Sequence, residues 1–292
     1  MSANVQPLIE YLQQLERKGE THVHLDETAR KVLREFFLVA KGYKKHLSQV
    51  VENNTPSDTH SQTTPILQSS LKPESVQTIQ ITGKTPTDQI SSLASKAQHW
   101  SAAKTLGSLR EKLVFSGGNP EADIMFITDA PGFNEETKGF PFAGPAGEKL
   151  DGILKAMGLS REHVYITHLV KYRPSMPNQS TANRKPTEEE IEAFSPFIDA
   201  EIKIVQPKVI IALGTTASQH LLDTENDIDY LRGKFHSITK SSIPVRVTYP
   251  PSYLLNNEAR EDKRKVWEDM LAIMELLNMS ITEKQQSYFL PK

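Results

Sequence analysis

The sequence predicts an α/β protein, a three-layer α/β/α sandwich around a four-stranded parallel sheet. Short apolar runs alternate with segments of helical apolar spacing, the order expected when each strand is followed by a helix that packs on the sheet. The predicted strands are residues 122–128, 163–170, 207–213 and 245–249. The predicted helices are residues 90–112, 146–158, 187–204, 214–222 and 258–277. Parallel strands end at one edge of a sheet, and this edge should gather Asp129, His168, Gly214 and Pro250.

The composition limits the classes of protein to which this chain can belong. The 292 residues include no cysteine, which excludes disulfides, thiolate metal ligands and a thiol nucleophile. We expect a cytoplasmic protein without membrane contact, because no apolar run reaches spanning length and the N-terminus lacks a signal-peptide pattern. The formal net charge of -2 gives no global basic field, although a local basic patch can still bind nucleic acid.

Changes in composition divide the chain into four predicted parts. Residues 1–45 have helical apolar spacing and are a candidate docking segment for a protein partner. Residues 46–90 are rich in Ser, Thr, Gln, Pro and Asn, so we predict a disordered linker. Residues 91–280 form the predicted globular domain, and residues 281–292 a C-terminal tail. We expect a monomer.

The stretch between residues 124 and 147 has the clearest pattern of a ligand site. Its apolar start predicts a buried strand, and Asp129 follows directly, ahead of the chain-breaking pair Pro131-Gly132. A second loop rich in Gly and Pro then carries Phe142. An acid at the carboxyl end of a parallel strand, followed by a rigid loop with an aromatic residue, is typical of a binding site in an open α/β sheet.

Three further segments end at the same predicted edge. One strand runs into the basic, proline-rich loop after residue 170, another ends in the motif ALGTTA, and a third runs into YPPSYLLNN. In order, spacing and residue type, these segments resemble the uracil-DNA glycosylase superfamily, closest to its iron–sulfur (family 4) branch. The resemblance covers about residues 106–277, and the landmarks that carry it include Pro131-Gly132, Pro141-Phe142, Lys171, Arg173-Pro174, Asn183-Arg184, Leu213-Gly214 and Tyr253-Leu254-Leu255.

The resemblance implies a monofunctional DNA glycosylase that extrudes a base from DNA and hydrolyses its N-glycosidic bond. Asp129 takes the place of the family's catalytic Glu, and Ala130 and Phe142 take places that contact the base, with Phe142 stacking on it. His168 replaces the Asn that reads uracil and is a candidate for both base binding and catalysis. Pro250 replaces the His that hydrogen-bonds the departing uracil, and proline has no donor to offer.

These departures leave three accounts open. His168 has taken over stabilisation of the leaving group, or the pocket has been retuned from uracil to another modified base, or the site is silent and the protein only binds DNA. A pocket retuned to another modified base fits an enzyme of DNA repair or an enzyme that attacks modified foreign DNA.

DNA is the expected partner. The resemblance implies that the basic loop and the hydroxyl-bearing turns contact backbone phosphates and that a leucine pair enters the minor groove. The candidate DNA-binding residues are Lys171, Arg173, Arg184, Thr215, Ser252, Tyr253, Leu254 and Leu255.

No metal or other cofactor is expected. The four cysteines that hold the family's iron–sulfur cluster correspond here to Ser101, Lys104, Tyr172 and Phe194, none of which can ligate iron through sulfur. Two of these replacements are aromatic and are suited to filling the vacated space by packing.

Overall fold

The computed structural model describes residues 79–238 and 241–290. The predicted helical segment over residues 1–45, and the linker up to residue 78, lie outside the described residues. Among these residues, six strands form one sheet in the order β2-β4-β3-β6-β8-β7, and two form a small antiparallel ribbon, β1-β5. The strands are β1 Leu109–Leu113, β2 Ser116–Gly118, β3 Ile124–Thr128, β4 Val164–His168, β5 Tyr172–Pro174, β6 Val209–Leu213, β7 Phe235–Ile238 and β8 Ser241–Thr248.

The centre of the large sheet is the predicted set of four parallel strands. β3 pairs in parallel with β4 and β6, and β6 pairs in parallel with β8. The whole sheet has six strands, because β2 and β7, which were not predicted, extend it at its two edges as antiparallel strands. β2 was not predicted because it has only three residues, two of them glycines, and so carries no apolar alternation.

Helices cover both faces of this sheet. They are α1 Pro86–Gln98, α2 Ser101–Leu106, α3 Phe133–Lys138, α4 Pro145–Met157, α5 Glu188–Val205, α6 Thr215–Leu222, α7 Ile228–Leu231, α8 Tyr253–Asn256, α9 Arg260–Leu276 and α10 Glu283–Gln286. Successive side chains of β3 point to opposite faces, so Met125 packs in one core with α1 and α5, whereas Phe126 packs in the other with α4 and α9. This arrangement is the predicted three-layer sandwich.

The predicted helix over residues 90–112 is wrong at both ends. α1 begins at Pro86, inside the predicted linker, because Thr85 and Asp88 form a capping box around the proline at the first helical position. Gly107 then takes a left-handed conformation (φ 63°) that ends α2. Residues beyond it form β1, which pairs with β5 instead of continuing the helix.

The segment predicted as a C-terminal tail packs on the domain as far as it is described. The Nε1 of Trp267 in α9 donates to the carbonyl of Gln285, and the Nε2 of Gln285 donates to the carbonyl of Ala156 at the end of α4. The domain boundary predicted at residue 280 is therefore too early. Within the described residues, no helix combines the length and the apolar character needed to cross a bilayer.

Candidate active site

The carboxyl ends of the four parallel strands open into one cavity of about 850 Å³. Its lining includes Asp129 after β3, His168 at the end of β4, Gly214 after β6 and Pro250 after β8. The structure therefore brings together the four positions that the sequence places on one edge. Ala130 and Phe142, the other two residues assigned to the base, line the same cavity.

Asp129 and His168 are neighbours because of the sheet register. Thr128 lies directly across from His168 in the β3-β4 pairing. Asp129, the residue that follows β3, therefore lies just beyond the end of β4. The main-chain carbonyl of Asp129 accepts a hydrogen bond from the amide of Val170 at 3.0 Å, and its carboxylate accepts one from the Thr128 hydroxyl at 3.2 Å. Among the described residues no cation pairs with this half-buried carboxylate, which leaves it able to hold a water molecule.

Phe142 is held in a conformation that its own backbone disfavours. Its φ of 52° lies in the left-handed region, which is uncommon for a bulky residue and is found where surrounding contacts enforce it. Arg161 Nη2 donates to the Phe142 carbonyl at 2.8 Å. That carbonyl would lie 1.7 Å from a Cβ at position 147, so only Gly147 permits this approach. The ring is inclined by 18° to the His168 ring, with 6.4 Å between centroids.

Glu135, near the start of α3, connects these residues, and sequence reasoning missed it. Its carboxylate accepts from the backbone amides of Gly132 and Phe142, at 2.6 Å each, and lies 3.2 Å from His168 Nε2. Burial raises the pKa of the Glu135 carboxyl, but the charge and hydrogen bond of His168, with the two amides, outweigh it and hold the pKa below its ordinary value. The detectable signal was an acid three residues after Gly132, the position of the glutamate in a capping box.

Known proteins with similar sequences identify the family. The family model described as the uracil DNA glycosylase superfamily matches residues 115–271, just over half of the chain. The chain belongs to the uracil DNA glycosylase superfamily. This membership confirms the predicted family and the predicted enzyme class, DNA glycosylase.

Three relatives show the range of proteins that carry this domain. The chain is similar to the type-4 uracil-DNA glycosylase of Saccharolobus solfataricus (42% identity over 175 residues, 56% of this chain and 78% of that protein). It is similar to the type-4 uracil-DNA glycosylase of Thermotoga maritima (40% identity over 170 residues, 55% of this chain and 81% of that protein). It also resembles part of a DNA polymerase of Bacillus phage SP01 (32% identity over 139 residues, 47% of this chain and 14% of the polymerase).

The basic loop of this superfamily member does not present the cations that the sequence suggested. Lys171 is fully buried; its Nζ is bonded to Glu201, to the Thr167 hydroxyl at 2.6 Å and to the His168 carbonyl at 2.8 Å. Burial lowers the pKa of Lys171, and the Glu201 carboxylate opposes that shift. The prediction that Lys171 contacts phosphate is therefore wrong, because its charge is neutralised inside the domain, where it supports the backbone of His168.

The guanidinium groups of Arg173 and Arg184 are also hydrogen-bonded to other groups of the protein. Arg173 is 1% exposed and bonds to Glu136, to Asn183 and to two carbonyls of the loop that follows it. Arg184 forms two hydrogen bonds with the Glu190 carboxylate, at 2.6 and 2.8 Å, and also bonds to the carbonyls of Ser108, Ser175 and Lys185. Both arginines shape the loop. The assignment of Arg173 as a phosphate contact is wrong because its side chain is buried, whereas the Arg184 side chain is 25% exposed and lines the cavity, so its assignment stays a prediction. Lys185 is the exposed lysine that lines the cavity.

Only one leucine of the predicted wedge, Leu255, is exposed. Leu254 is 6% exposed and packs with Tyr249 and Val266, whereas Leu255 is 37% exposed and lines the cavity. The pair occupies the short helix α8, in which adjacent side chains point in different directions. Leu254 is therefore a core residue, and Leu255 retains the role of a candidate wedge.

The other residues that were predicted to contact DNA line the cavity. Thr215 at the start of α6, Ser252 and Tyr253 all line it, and Ser252 is exposed. Tyr253 stacks on Tyr249 with 4.4 Å between ring centroids. Burial and the hydrogen bond that its hydroxyl donates to Asp229 raise the pKa of Tyr249 to about 12. This wall of the cavity is therefore formed by two stacked aromatic rings.

The residues at the four cluster positions do not fit an iron–sulfur cluster. The chain has no cysteine, and the rings of Tyr172 and Phe194 pack against each other with 5.9 Å between centroids. Phe194 is fully buried, and the Tyr172 hydroxyl donates to the Ala97 carbonyl at 3.1 Å. Ser101 and Lys104 are exposed on α2. Aromatic packing thus occupies this part of the domain, and an enzyme without a cofactor stays a prediction.

Proposed function

We propose that this chain is a monofunctional DNA glycosylase that takes an extruded base into the cavity and hydrolyses its N-glycosidic bond. The observation that carries the proposal is the meeting of Asp129, Phe142 and His168 around one cavity at the ends of β3 and β4. Such a reaction needs a carboxylate that binds and deprotonates water, an aromatic ring that stacks on the base, and a polar group that hydrogen-bonds the edge of the base.

In the proposed reaction the Asp129 carboxylate holds a water molecule and accepts its proton as the water oxygen bonds to C1′ of the sugar. The bond from C1′ to the base nitrogen breaks, and its electron pair leaves with the base. The negative carboxylate also stabilises the positive charge that develops on the sugar. Phe142 stacks on the base, a contact worth about 1–3 kcal/mol that any base can make.

Of the three accounts left open by the sequence, a retuned pocket has the best support. His168 Nε2 faces Glu135, so this nitrogen is already engaged and does not serve the leaving group. Pro250 lines the cavity without a donor. The relatives named uracil-DNA glycosylases make uracil the first base to test, with 5-substituted uracils next.

A base-release assay tests the proposal. Duplex and single-stranded DNA containing uracil, 5-substituted uracils, other deaminated bases or modified cytosines would be incubated with the full chain, and abasic sites would be scored. We expect abasic sites in strands that stay intact until alkali or heat is applied. An absence of abasic sites on every substrate, together with retained DNA binding, would refute the proposed reaction.

A second candidate is a catalytically silent DNA-binding module. The similar segment inside a phage DNA polymerase favours it, because that segment is a small part of a larger DNA-handling protein. The same assay separates the two candidates, since a silent module binds DNA and releases no base.

The internal use of the arginines leads to a prediction about DNA binding. Lys185→Ala should lower the slope of log affinity against log salt by about 0.9, the value for one phosphate contact. Arg173→Ala should leave that slope unchanged and reduce the free energy of unfolding by about 3 kcal/mol, because it removes the buried partner of Glu136 Oε2 and of two loop carbonyls. Binding titrations at several salt concentrations, paired with urea denaturation, would measure both quantities. A reduced slope in Arg173→Ala would contradict this assignment.

The two leucines of α8 should behave differently when truncated. Leu255→Ala should reduce base release from duplex DNA by about tenfold without changing stability, because an exposed wedge acts only when a base is extruded. Leu254→Ala should instead lower the free energy of unfolding by about 2–5 kcal/mol, the usual cost of truncating a buried leucine. Single-stranded substrate is the control, since it needs no wedge, and an equal loss of activity on both substrates would argue against the role of Leu255.

A further inference from the structure

Phe133 is an exposed aromatic residue at the edge of the cavity, and the proposed reaction does not use it. It follows Gly132 directly, is 37% exposed and lines the same cavity as Asp129 and Phe142. A single exposed apolar side chain needs no explanation by itself. What sets Phe133 apart is the structure that holds its ring in this place.

The ring of Phe133 rests on a buried cation. The guanidinium carbon of Arg173 lies over the ring, 5.4 Å from its centroid, a contact of the cation–π type. Arg173 is 1% exposed and is fixed by hydrogen bonds to Glu136, to Asn183 and to two loop carbonyls. The space behind the ring is therefore filled by an immobile group, and the exposed surface of Phe133 lies on the side away from Arg173.

The backbone of Phe133 is held at both of its polar groups. Its amide donates to Asn183 Oδ1 at 3.2 Å, and its carbonyl accepts from the Thr137 hydroxyl at 2.8 Å. The same Asn183 oxygen accepts from Arg173 Nε at 2.9 Å, so one side chain ties the backbone of Phe133 to the group beneath its ring. A surface fixed in this way loses little conformational freedom when a ligand binds.

Cations accompany the ring at the cavity. Lys185 is exposed and the Arg184 side chain is 25% exposed, and both line the cavity. Cations that follow the phosphates, together with aromatic rings on which bases stack, are the means by which proteins bind single-stranded nucleic acid. Phe142 already provides the ring for the extruded base, so Phe133 is available to a different base of the same strand.

We propose that Phe133 is a second stacking site, which binds the unpaired base next to the extruded one in single-stranded DNA while Lys185 contacts the backbone phosphate. In a duplex the neighbouring bases stay paired and stacked within the helix, so they do not reach the ring. Stacking is tolerant of sequence, and the site therefore accepts any base. The inference rests on the proposed function for the placement of the extruded base in this cavity.

The test measures binding by the Asp129→Asn protein, so that cleavage does not interfere. Two single-stranded oligonucleotides would each carry one uracil, flanked either by adenines or by base-free tetrahydrofuran residues, at one salt concentration. We expect the adenine-flanked strand to bind about tenfold more tightly, equivalent to about 1.4 kcal/mol and usual for one base stacked on an aromatic ring. Adding Phe133→Ala should bring the ratio of the two affinities close to one.

Phe140→Ala is the matched control. Phe140 is 45% exposed, follows the end of α3 and lies away from the residues that line the cavity, so its truncation should leave the ratio unchanged. Phe133→Tyr keeps an aromatic ring and should retain the ratio. Phe133→Leu keeps an apolar side chain over Arg173 but has no ring, so it should lose most of the ratio even if Phe133→Ala does not fold. Thermal melting would establish folding for each variant.

Duplex DNA with the same uracil gives a second readout. Phe133→Ala should change the affinity for the duplex by less than about twofold, because no unpaired neighbour is available to stack. This is the reverse of the pattern expected for Leu255→Ala, which should affect the duplex and spare the single strand. An equal loss of affinity for both forms of DNA in Phe133→Ala would overturn the second stacking site.

Equal affinity of the Asp129→Asn protein for the two oligonucleotides, or a ratio that survives Phe133→Ala, would overturn it as well. The proposed function fails separately. A protein with the ratio that depends on Phe133, but without base release from any substrate, has the stacking site and lacks the reaction. Conversely, base release by a protein whose ratio is one leaves the glycosylase proposal standing without a second stacking site.

Discussion

Asp129→Asn is expected to abolish base release, with a loss of at least about 100-fold. The substitution keeps the shape of the side chain but removes the charge that accepts the proton of water and faces the developing positive charge of the sugar, and losses of this size are usual for such groups. Single-turnover release of the base, measured with enzyme in excess, would give the rate. Affinity for the same DNA should stay within about twofold, because Asp129 is half-buried at the cavity and pairs with no cation among the described residues.

Asp123→Asn is the matched control. Asp123 lies just before β3 and is exposed, where it pairs with Lys208 at 2.8 Å. The Asp123→Asn substitution removes one carboxylate at the opposite end of β3 from Asp129, away from the residues that line the cavity. Surface ion pairs such as Asp123–Lys208 contribute little to stability. Full activity of Asp129→Asn would remove Asp129 from its assigned role.

Phe194→Ala is expected to lower the free energy of unfolding by about 3–5 kcal/mol. Phe194 is fully buried and its ring contacts two others, Tyr172 at 5.9 Å and Phe197 at 5.8 Å between centroids. The contact with Tyr172 joins α5 to β5, and the contact with Phe197 lies within α5, so truncation of Phe194 leaves a cavity in the packing between these elements. Urea denaturation followed by circular dichroism would measure the loss.

Phe140→Ala provides the comparison, since Phe140 is 45% exposed and its truncation should cost little. Tyr172→Phe should cost about 1 kcal/mol, because it removes the hydrogen bond to the Ala97 carbonyl and keeps the ring. A stability change in Phe194→Ala no larger than that in Phe140→Ala would contradict the stabilising role of the aromatic packing.

The parallel core of the fold was predictable because its strands are buried on both faces. Such strands are continuous apolar runs, and the polar residue that ends each run marks the edge where the site lies, as with Asp129 and His168. The edge strands and β1 were missed because short, half-exposed strands carry no such pattern. Their pairing partners are set by tertiary contacts.

The side-chain contacts of the site were less predictable, for a related reason. Lys171 and Arg173 look like surface cations in the sequence, but their partners, Glu201 and Glu136, lie 30 and 37 residues away and meet them only in the folded domain. Glu135 escaped notice because its partner His168 is 33 residues distant. Sequence spacing located the backbone positions of the site, and tertiary contacts decided which charges face inward.

The commitment of Lys171, Arg173 and Arg184 to internal carboxylates has a consequence for how the protein finds its target. Each phosphate contact adds to the time a protein stays on undamaged DNA, and proteins with many such contacts slide along it. The described part of this chain offers Lys185 as the exposed lysine of the cavity. We therefore expect the cavity face of the described domain to make brief contacts with undamaged DNA, with its residence time set by recognition of the base itself.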